Sequence, residues 1–182
     1  MGTGGFVIVD SCGREIVRAG RWFGRGLTNN EAEALACREA LTCLASLARA
    51  RPELRLPARV FGDSQLMIRF LTGIFKKPGK ASIYEALQEA RRRARELPHI
   101  AYRHVKRAAN MVADDMAWRA LDAGADVTYW AGELPDGCPA NQVEDVYEQQ
   151  HDVAKQLPAT ATWDPPAISS CTCSPVLARV AA

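Results

Sequence analysis

The sequence predicts an α/β protein in which a mixed sheet is flanked by helices. Strand-like and helix-like segments alternate between residues 5 and 123 in the order ββαβααβα. The 182 residues are 48% hydrophobic and 24% charged, which is ordinary for a globular protein. No apolar run approaches the ~20 residues that cross a bilayer, and residues 1–10 lack the pattern of a signal peptide. We therefore expect an intracellular protein that is neither secreted nor membrane-bound.

Each element has a local signal in the sequence. Alternation of apolar and polar residues predicts a hairpin, and the T-x-x-E capping box at residues 28–31 predicts the start of a long helix. Asn110 can cap the last helix, and Gly124 can stop it. The predicted strands are 5–10, 14–22, 59–62 and 100–105, and the predicted helices are 28–48, 64–71, 83–97 and 110–123.

Composition divides the chain near residue 130. Six of the ten prolines lie at or after Pro135, and residues 131–182 have a net charge of −5. We expect residues 1–130 to be the folded domain and 131–182 to be a Pro-rich acidic appendage, with one possible helix at 141–157 and a disordered tail from 158. The domain itself then has a net charge of +7. That charge suits a polyanion such as nucleic acid, although a solvated Arg-rich surface explains it equally well.

Three acidic residues occupy positions that should face inward or lie at a sheet edge. Glu33 begins the apolar stripe of its helix, Asp63 follows a short buried strand, and Asp114 shares a face with Ala117. Each has a simpler explanation, because acids are favoured near helix N-termini and Asp is a common N-cap. Glu31, by contrast, fits an outward capping role.

Three such acids on separate elements favour a common explanation. Carboxylates held close together repel each other unless a cation lies between them. Their oxygens suit Mg²⁺ or Mn²⁺, and a pair of these ions can support an in-line phosphoryl displacement. Together with the basic domain, this pattern predicts hydrolysis of phosphodiester bonds in a nucleic acid.

Three motifs in order then indicate a family. T28-N-N-E-A-E33, G62-D-S-Q65 and H104-V-K-R-A-A-N-M-V-A-D114 resemble the reverse-transcriptase-like branch of type 1 ribonuclease H. The resemblance covers roughly residues 4–123. It implies a ribonuclease H-like fold and an endonuclease, of retroelement or cellular origin, that uses two Mg²⁺ or Mn²⁺ ions to cleave the RNA strand of RNA/DNA hybrids.

The resemblance also implies roles for individual residues. Glu33, Asp63 and Asp114 match the catalytic, metal-binding carboxylates of the family. Five polar residues match family positions near the hybrid: Asn29, Asn30, Ser64, Gln65 and Asn110. Four basic residues are expected to contact its phosphates: Lys76, Lys77, Lys80 and Arg107. We interpret His104, which alternates with Tyr102 along a strand, as structural.

One departure from the family pattern concerns the start of the chain. The family begins with a central strand that contains a D-G pair, and Met1 falls within the turn that follows that strand. We therefore expect an N-terminally truncated domain without this strand and its aspartate, with a gap beside the strand that contains Phe61. A catalytically impaired nucleic-acid-binding or interaction module is the alternative. An unrelated metal-dependent phosphatase or nuclease is a third reading.

Overall fold

A computed structural model describes residues 2–10, 13–54, 57–76, 79–131 and 176–181. Within them the chain forms six strands and four α-helices. The strands are β1 (Thr3–Val9), β2 (Glu15–Trp22), β3 (Ala58–Gly62), β4 (Ile100–His104), β5 (Val127–Trp130) and β6 (Val176–Ala181). The helices are α1 (Asn29–Ala50), α2 (Gln65–Leu71), α3 (Ala81–Ala94) and α4 (Met111–Ala123). Of the helices described, none has the length and apolar character needed to cross a membrane.

The six strands form one mixed sheet in the order β4-β3-β6-β1-β2-β5. The β1–β2 hairpin is antiparallel and its register pairs Gly5 with Gly20. Strand β5 continues the antiparallel part beyond β2, and β3 pairs in parallel with β4. These observations confirm the predicted α/β class with a mixed sheet.

The strand at the centre of the sheet comes from the segment expected to be a disordered tail. Strand β6 runs parallel to β3 and antiparallel to β1. Val176, Ala178 and Val180 are almost completely buried. The prediction of a disordered appendage is therefore wrong for residues 176–181, and the expected gap beside Phe61 is filled. The physical reason is that an open slot would leave the backbone donors and acceptors of β1 and β3 unpaired.

Helices cover the two faces of the sheet differently. One face carries the main core, in which side chains of β1, β3 and β6 pack against α1, α2 and α3. The other face packs against α4, and its core includes Val7, Phe61 and Val105. Helix α4 lies very close to the hairpin, because a Cβ on Gly5 would collide with the Ala113 carbonyl oxygen and one on Gly20 with that of Met116.

Most of the predicted elements are confirmed with shifts of a few residues. The capping box at Thr28 is present, and Gly124 ends α4 in the left-handed conformation with φ 61°. The helix predicted at 83–97 begins at Ala81 and ends at Ala94. Strand β5 was not predicted, and the helix predicted at 141–157 lies outside the described residues.

Candidate active site

Asp63 follows the last residue of β3 at the sheet edge. The amide Nδ2 of Asn110 donates to Asp63 Oδ1 at 2.9 Å, and His104 Nε2 lies 3.0 Å from the Asp63 carbonyl oxygen. Met67 packs closely against this turn, because a Cβ on Gly62 would meet its terminal methyl group Cε. Two neighbouring elements therefore fix this turn, which supports the structural interpretation of His104.

Glu33 reaches the same corner from the first turns of α1. Asn29 Nδ2 donates to Glu33 Oε1 at 3.2 Å, and the Ser64 hydroxyl, next to Asp63, also hydrogen-bonds the Glu33 carboxylate. Burial raises the pKa of Glu33 above its usual 4.5, and the charges of Asp63 and Asp114 raise it further. This electrostatic coupling indicates that the three predicted carboxylates lie in one neighbourhood.

Asp114 lies in the first turn of α4, which packs closely against the β1–β2 hairpin. Arg107 clamps it with two hydrogen bonds, from Nε to Oδ2 at 2.9 Å and from Nη2 to Oδ1 at 3.2 Å. Burial raises the pKa of the Asp114 carboxyl and the charge of Asp63 adds to this, while Arg107 acts in the opposite direction. The pKa of Arg107 is raised in turn, mainly by its hydrogen bond to Asp114.

The chemistry of this donor set fits a hard divalent cation. Glu33, Asp63 and Asp114 offer carboxylate oxygens. A bound cation would offset the desolvation and the mutual repulsion that raise the pKa of Glu33 and Asp114. In the described part of the chain, however, no three acidic, His or Cys side chains are grouped tightly enough to hold a metal as they stand. Arg107 pairs with Asp114, Asn110 donates to Asp63 and Asn29 donates to Glu33, so each of the three acids already has a protein donor.

The fold corresponds to that of known proteins. A family described as reverse transcriptase-like matches residues 1–120. The chain belongs to that family. It is similar to the RNase H1 of the halophilic archaeon Halobacterium salinarum NRC-1, at 30% identity and a TM-score of 0.58 over 66% of this chain and 86% of that one. It is also similar to the N-terminal RNase H domain of Mycobacterium tuberculosis Rv2228c, solved fused to maltose-binding protein, at 25% identity and a TM-score of 0.56 over 67% of this chain and 84% of that one. No curated protein sequence matches significantly.

These matches confirm that this reverse transcriptase-like chain has the ribonuclease H-like fold expected from its motifs. The position of β6 can also be compared with that of a strand in the family. The family pattern puts its first strand at the centre of the sheet, and here β6 takes that position. At the end of β6 nearest Asp63 lie Val180 and Ala181, so the described part of the central strand has no carboxylate.

The predicted substrate contacts divide into three groups. Asn29, Asn30, Gln65, Lys76, Lys80 and Arg107 are exposed. Ser64 is only 8% exposed and acts as the N-cap of α2, accepting from Met67 N at 3.3 Å. Lys77 lies outside the described residues.

Asn110 requires a correction. It was predicted both to cap α4 and to contact the hybrid, but its side chain is completely buried and makes no capping hydrogen bond. Its Nδ2 donates instead to Asp63 Oδ1 and, at 2.6 Å, to the Val180 carbonyl oxygen of β6. Asn110 therefore supports Asp63 from inside and joins it to the central strand. No pattern in the sequence around residue 110 could have indicated this role.

Glu31 is a second correction, because it has partners that the sequence did not indicate. The sequence suggested an outward cap, yet Glu31 is 5% exposed. Besides its capping partner Thr28, it binds Lys80 and Ser82 at the start of α3. The only hint in the sequence was the capping box itself, which does not indicate partners some fifty residues away.

Proposed function

We propose that this chain binds RNA/DNA hybrids and hydrolyses their RNA strand as a divalent-metal-dependent endonuclease. The observation that supports the proposal is that Glu33, Asp63 and Asp114, from three separate elements, lie near enough to influence one another electrostatically. Three partly buried acids that repel one another destabilise the protein, and cation binding explains why such an arrangement would exist. Membership of the reverse transcriptase-like family and similarity to two RNase H structures support the same activity.

In this proposal the three carboxylates would hold Mg²⁺ or Mn²⁺ as a two-ion site. Such ions lower the pKa of an attacking water and stabilise the charge on the leaving oxygen. Asn110 holds Asp63 in place through Nδ2, and Ser64 and Asn29 hold Glu33. The residues of this chain therefore orient the ligands and keep them partly out of water.

Arg107 has a double role in the proposal. Its guanidinium neutralises Asp114 in the absence of other cations, and its exposed position allows it to pair with a phosphate of the substrate when a metal replaces it. Asn29, Asn30, Gln65 and Lys76 would contact the hybrid around it. An A-like hybrid is recognised by its groove shape and by its 2′-hydroxyl groups, for which short amide side chains are suitable partners.

Cleavage of an end-labelled RNA/DNA hybrid by the full chain, in Mg²⁺ or Mn²⁺, tests the proposal. We expect RNA-strand cleavage that EDTA abolishes and that Asp63→Asn reduces by at least about a hundredfold, because such sites lose this much when one electrostatic group is removed. Asp115→Asn is the matched control. Asp115 follows Asp114 but is exposed and pairs with Arg119, so its loss should leave cleavage unchanged. Equal effects of the two substitutions would contradict the assignment.

A specific observation favours a second candidate function, a hybrid-binding module with impaired catalysis. The central strand presents Ala181 rather than an acid near Asp63, and the loss of one metal ligand weakens transition-state stabilisation. This candidate predicts hybrid binding without cleavage in either metal, with an affinity that Glu33→Gln leaves unchanged. Cleavage sensitive to Asp63→Asn would reject it.

A further inference from the structure

The Glu31 carboxylate receives four hydrogen bonds. Oε2 accepts from Thr28 N at 3.0 Å, Thr28 Oγ1 at 2.8 Å and Lys80 Nζ at 2.7 Å. Oε1 accepts from Ser82 Oγ at 2.7 Å. The hydrogen bond from Thr28 N belongs to the capping box of α1, and the Thr28 hydroxyl adds a second local donor. The other two donors come from the start of α3. Glu31 therefore does more than cap its own helix, because it also joins the N-terminal ends of α1 and α3.

These hydrogen bonds hold the carboxylate in its charged form. The Lys80 ammonium, followed by the Thr28 and Ser82 donors, lowers the pKa of Glu31 to about 2.

The contact with Glu31 fixes the position of the Lys80 ammonium group. Its side chain remains 54% exposed while that of Glu31 is 5% exposed, so the ammonium lies at the surface, attached to a buried anchor. An ammonium group has three donors, and the contact with Glu31 uses one of them. The anchor lies in the first turn of α1, which also contains the exposed Asn29 and Asn30. A lysine on a flexible loop would lose more side-chain entropy on binding a phosphate than one already held in place.

We infer that Glu31 is a positioning residue for substrate binding: it holds the Lys80 ammonium beside Asn29 and Asn30, ready to contact a phosphate of the hybrid. This inference rests on the proposed function. The inference predicts a change in affinity for the hybrid that is opposite to the change expected from net charge alone. Removing a negative charge from a nucleic-acid-binding surface should strengthen binding, whereas removing Glu31 should weaken it because Lys80 loses its anchor.

The test measures the Kd of the full chain for an RNA/DNA hybrid by fluorescence anisotropy, in Ca²⁺, at several salt concentrations. We expect Glu31→Gln to raise Kd by about three- to tenfold and Lys80→Met to raise it similarly, with a salt slope smaller by about one unit. Lys80→Arg should retain wild-type affinity. In the double variant, Glu31→Gln should add almost nothing to Lys80→Met, because one acts through the other.

Glu39→Gln is the matched control, since Glu39 lies on the same helix and pairs with the adjacent Arg38. It removes the same charge without affecting Lys80, so Kd should stay constant or fall slightly. If the wild type cleaves the hybrid, Glu31→Gln should raise KM and leave kcat unchanged, which a general loss of folding would not do. The Lys80 variants keep the capping box and test the inference even if Glu31→Gln fails to fold.

The outcomes separate the two proposals. A wild-type chain that binds hybrid no better than an uncharged control protein overturns both the proposed function and the inference. Wild-type binding that Glu31→Gln leaves unchanged or strengthens, or that Lys80→Met does not weaken, overturns the inference alone. Equal effects of Glu31→Gln in the wild-type and Lys80→Met backgrounds also overturn it.

Discussion

Truncation of Val180 to alanine should destabilise the protein substantially. Val180 is 1% exposed and lies in the central strand, where it pairs with Phe6 of β1 and Gly62 of β3. The substitution removes two buried carbon groups, worth about 0.8 kcal/mol each in transfer free energy, and leaves a cavity in a core with neighbours on both sides. We therefore expect a loss of about 2–3 kcal/mol in the free energy of unfolding.

Urea denaturation followed by far-UV circular dichroism measures this loss. With an m-value of about 2 kcal/mol per molar, the midpoint should fall by roughly 1–1.5 M, and the melting temperature by about 5–10 °C. Ile74→Ala is the control, because Ile74 is 69% exposed and its truncation should cost no more than about 0.5 kcal/mol.

The result that refutes the reasoning is a Val180→Ala midpoint that matches the wild type. It would mean that residues 176–181 contribute nothing to the cooperative core, as the expectation of a disordered tail requires. A loss confined to the Ile74 variant would refute the assignment of the central strand in the same way.

Three further predictions concern the site. Arg107→Met should tighten Mn²⁺ binding by about two- to fivefold in calorimetry, because the exposed guanidinium competes with the metal for Asp114; weaker binding would show that Arg107 assists the metal. Gly5→Ala should cost about 1–3 kcal/mol in urea denaturation, since its Cβ would push α4 away from β1, and a neutral effect would contradict this close packing. Glu33→Gln should raise the melting temperature in EDTA at pH 7 and give no gain near pH 4. The pKa of Glu33 is raised in the folded state, so the ionised carboxylate destabilises the fold, and this loss of stability develops only as the pH rises above the usual pKa near 4.5. A gain in melting temperature that does not depend on pH would contradict this explanation.

The sequence predicted those helix ends that depend on interactions between residues close together in the chain. The capping box of α1 and the glycine that ends α4 depend on atoms within a few residues, and both are visible in the sequence. The inward acids Glu33 and Asp114 were identified from helical periodicity, which follows directly from 3.6 residues per turn. These parts of the fold and the site were therefore accessible without a structure.

The central strand could not be predicted for the opposite reason. Its pattern of Val176, Ala178 and Val180 is short, contains small residues and follows a Pro-rich segment. What selects it is pairing with two strands more than one hundred residues away in sequence, and no local propensity reports such pairing. Asn110 is a similar case, since its partners belong to β6 and to the turn after β3.

Glu31 and Glu33 show why neighbouring acids of the same type needed a structure to be distinguished. They lie two residues apart on α1, yet the pKa of Glu31 is lowered to about 2 and that of Glu33 is raised. Helix position cannot explain opposite directions, because both acids lie near the same positive helix end. The difference comes from their partners: Glu31 faces Lys80 and hydroxyl donors, whereas Glu33 is partly buried near other carboxylates. The hydrogen bonds to Glu31 stabilise its negative charge, so that this carboxylate stabilises the fold. Burial and neighbouring acids destabilise the negative charge of Glu33, and a bound cation would stabilise it. This contrast, rather than the motif alone, is the physical argument for assigning metal binding to Glu33 and positioning to Glu31.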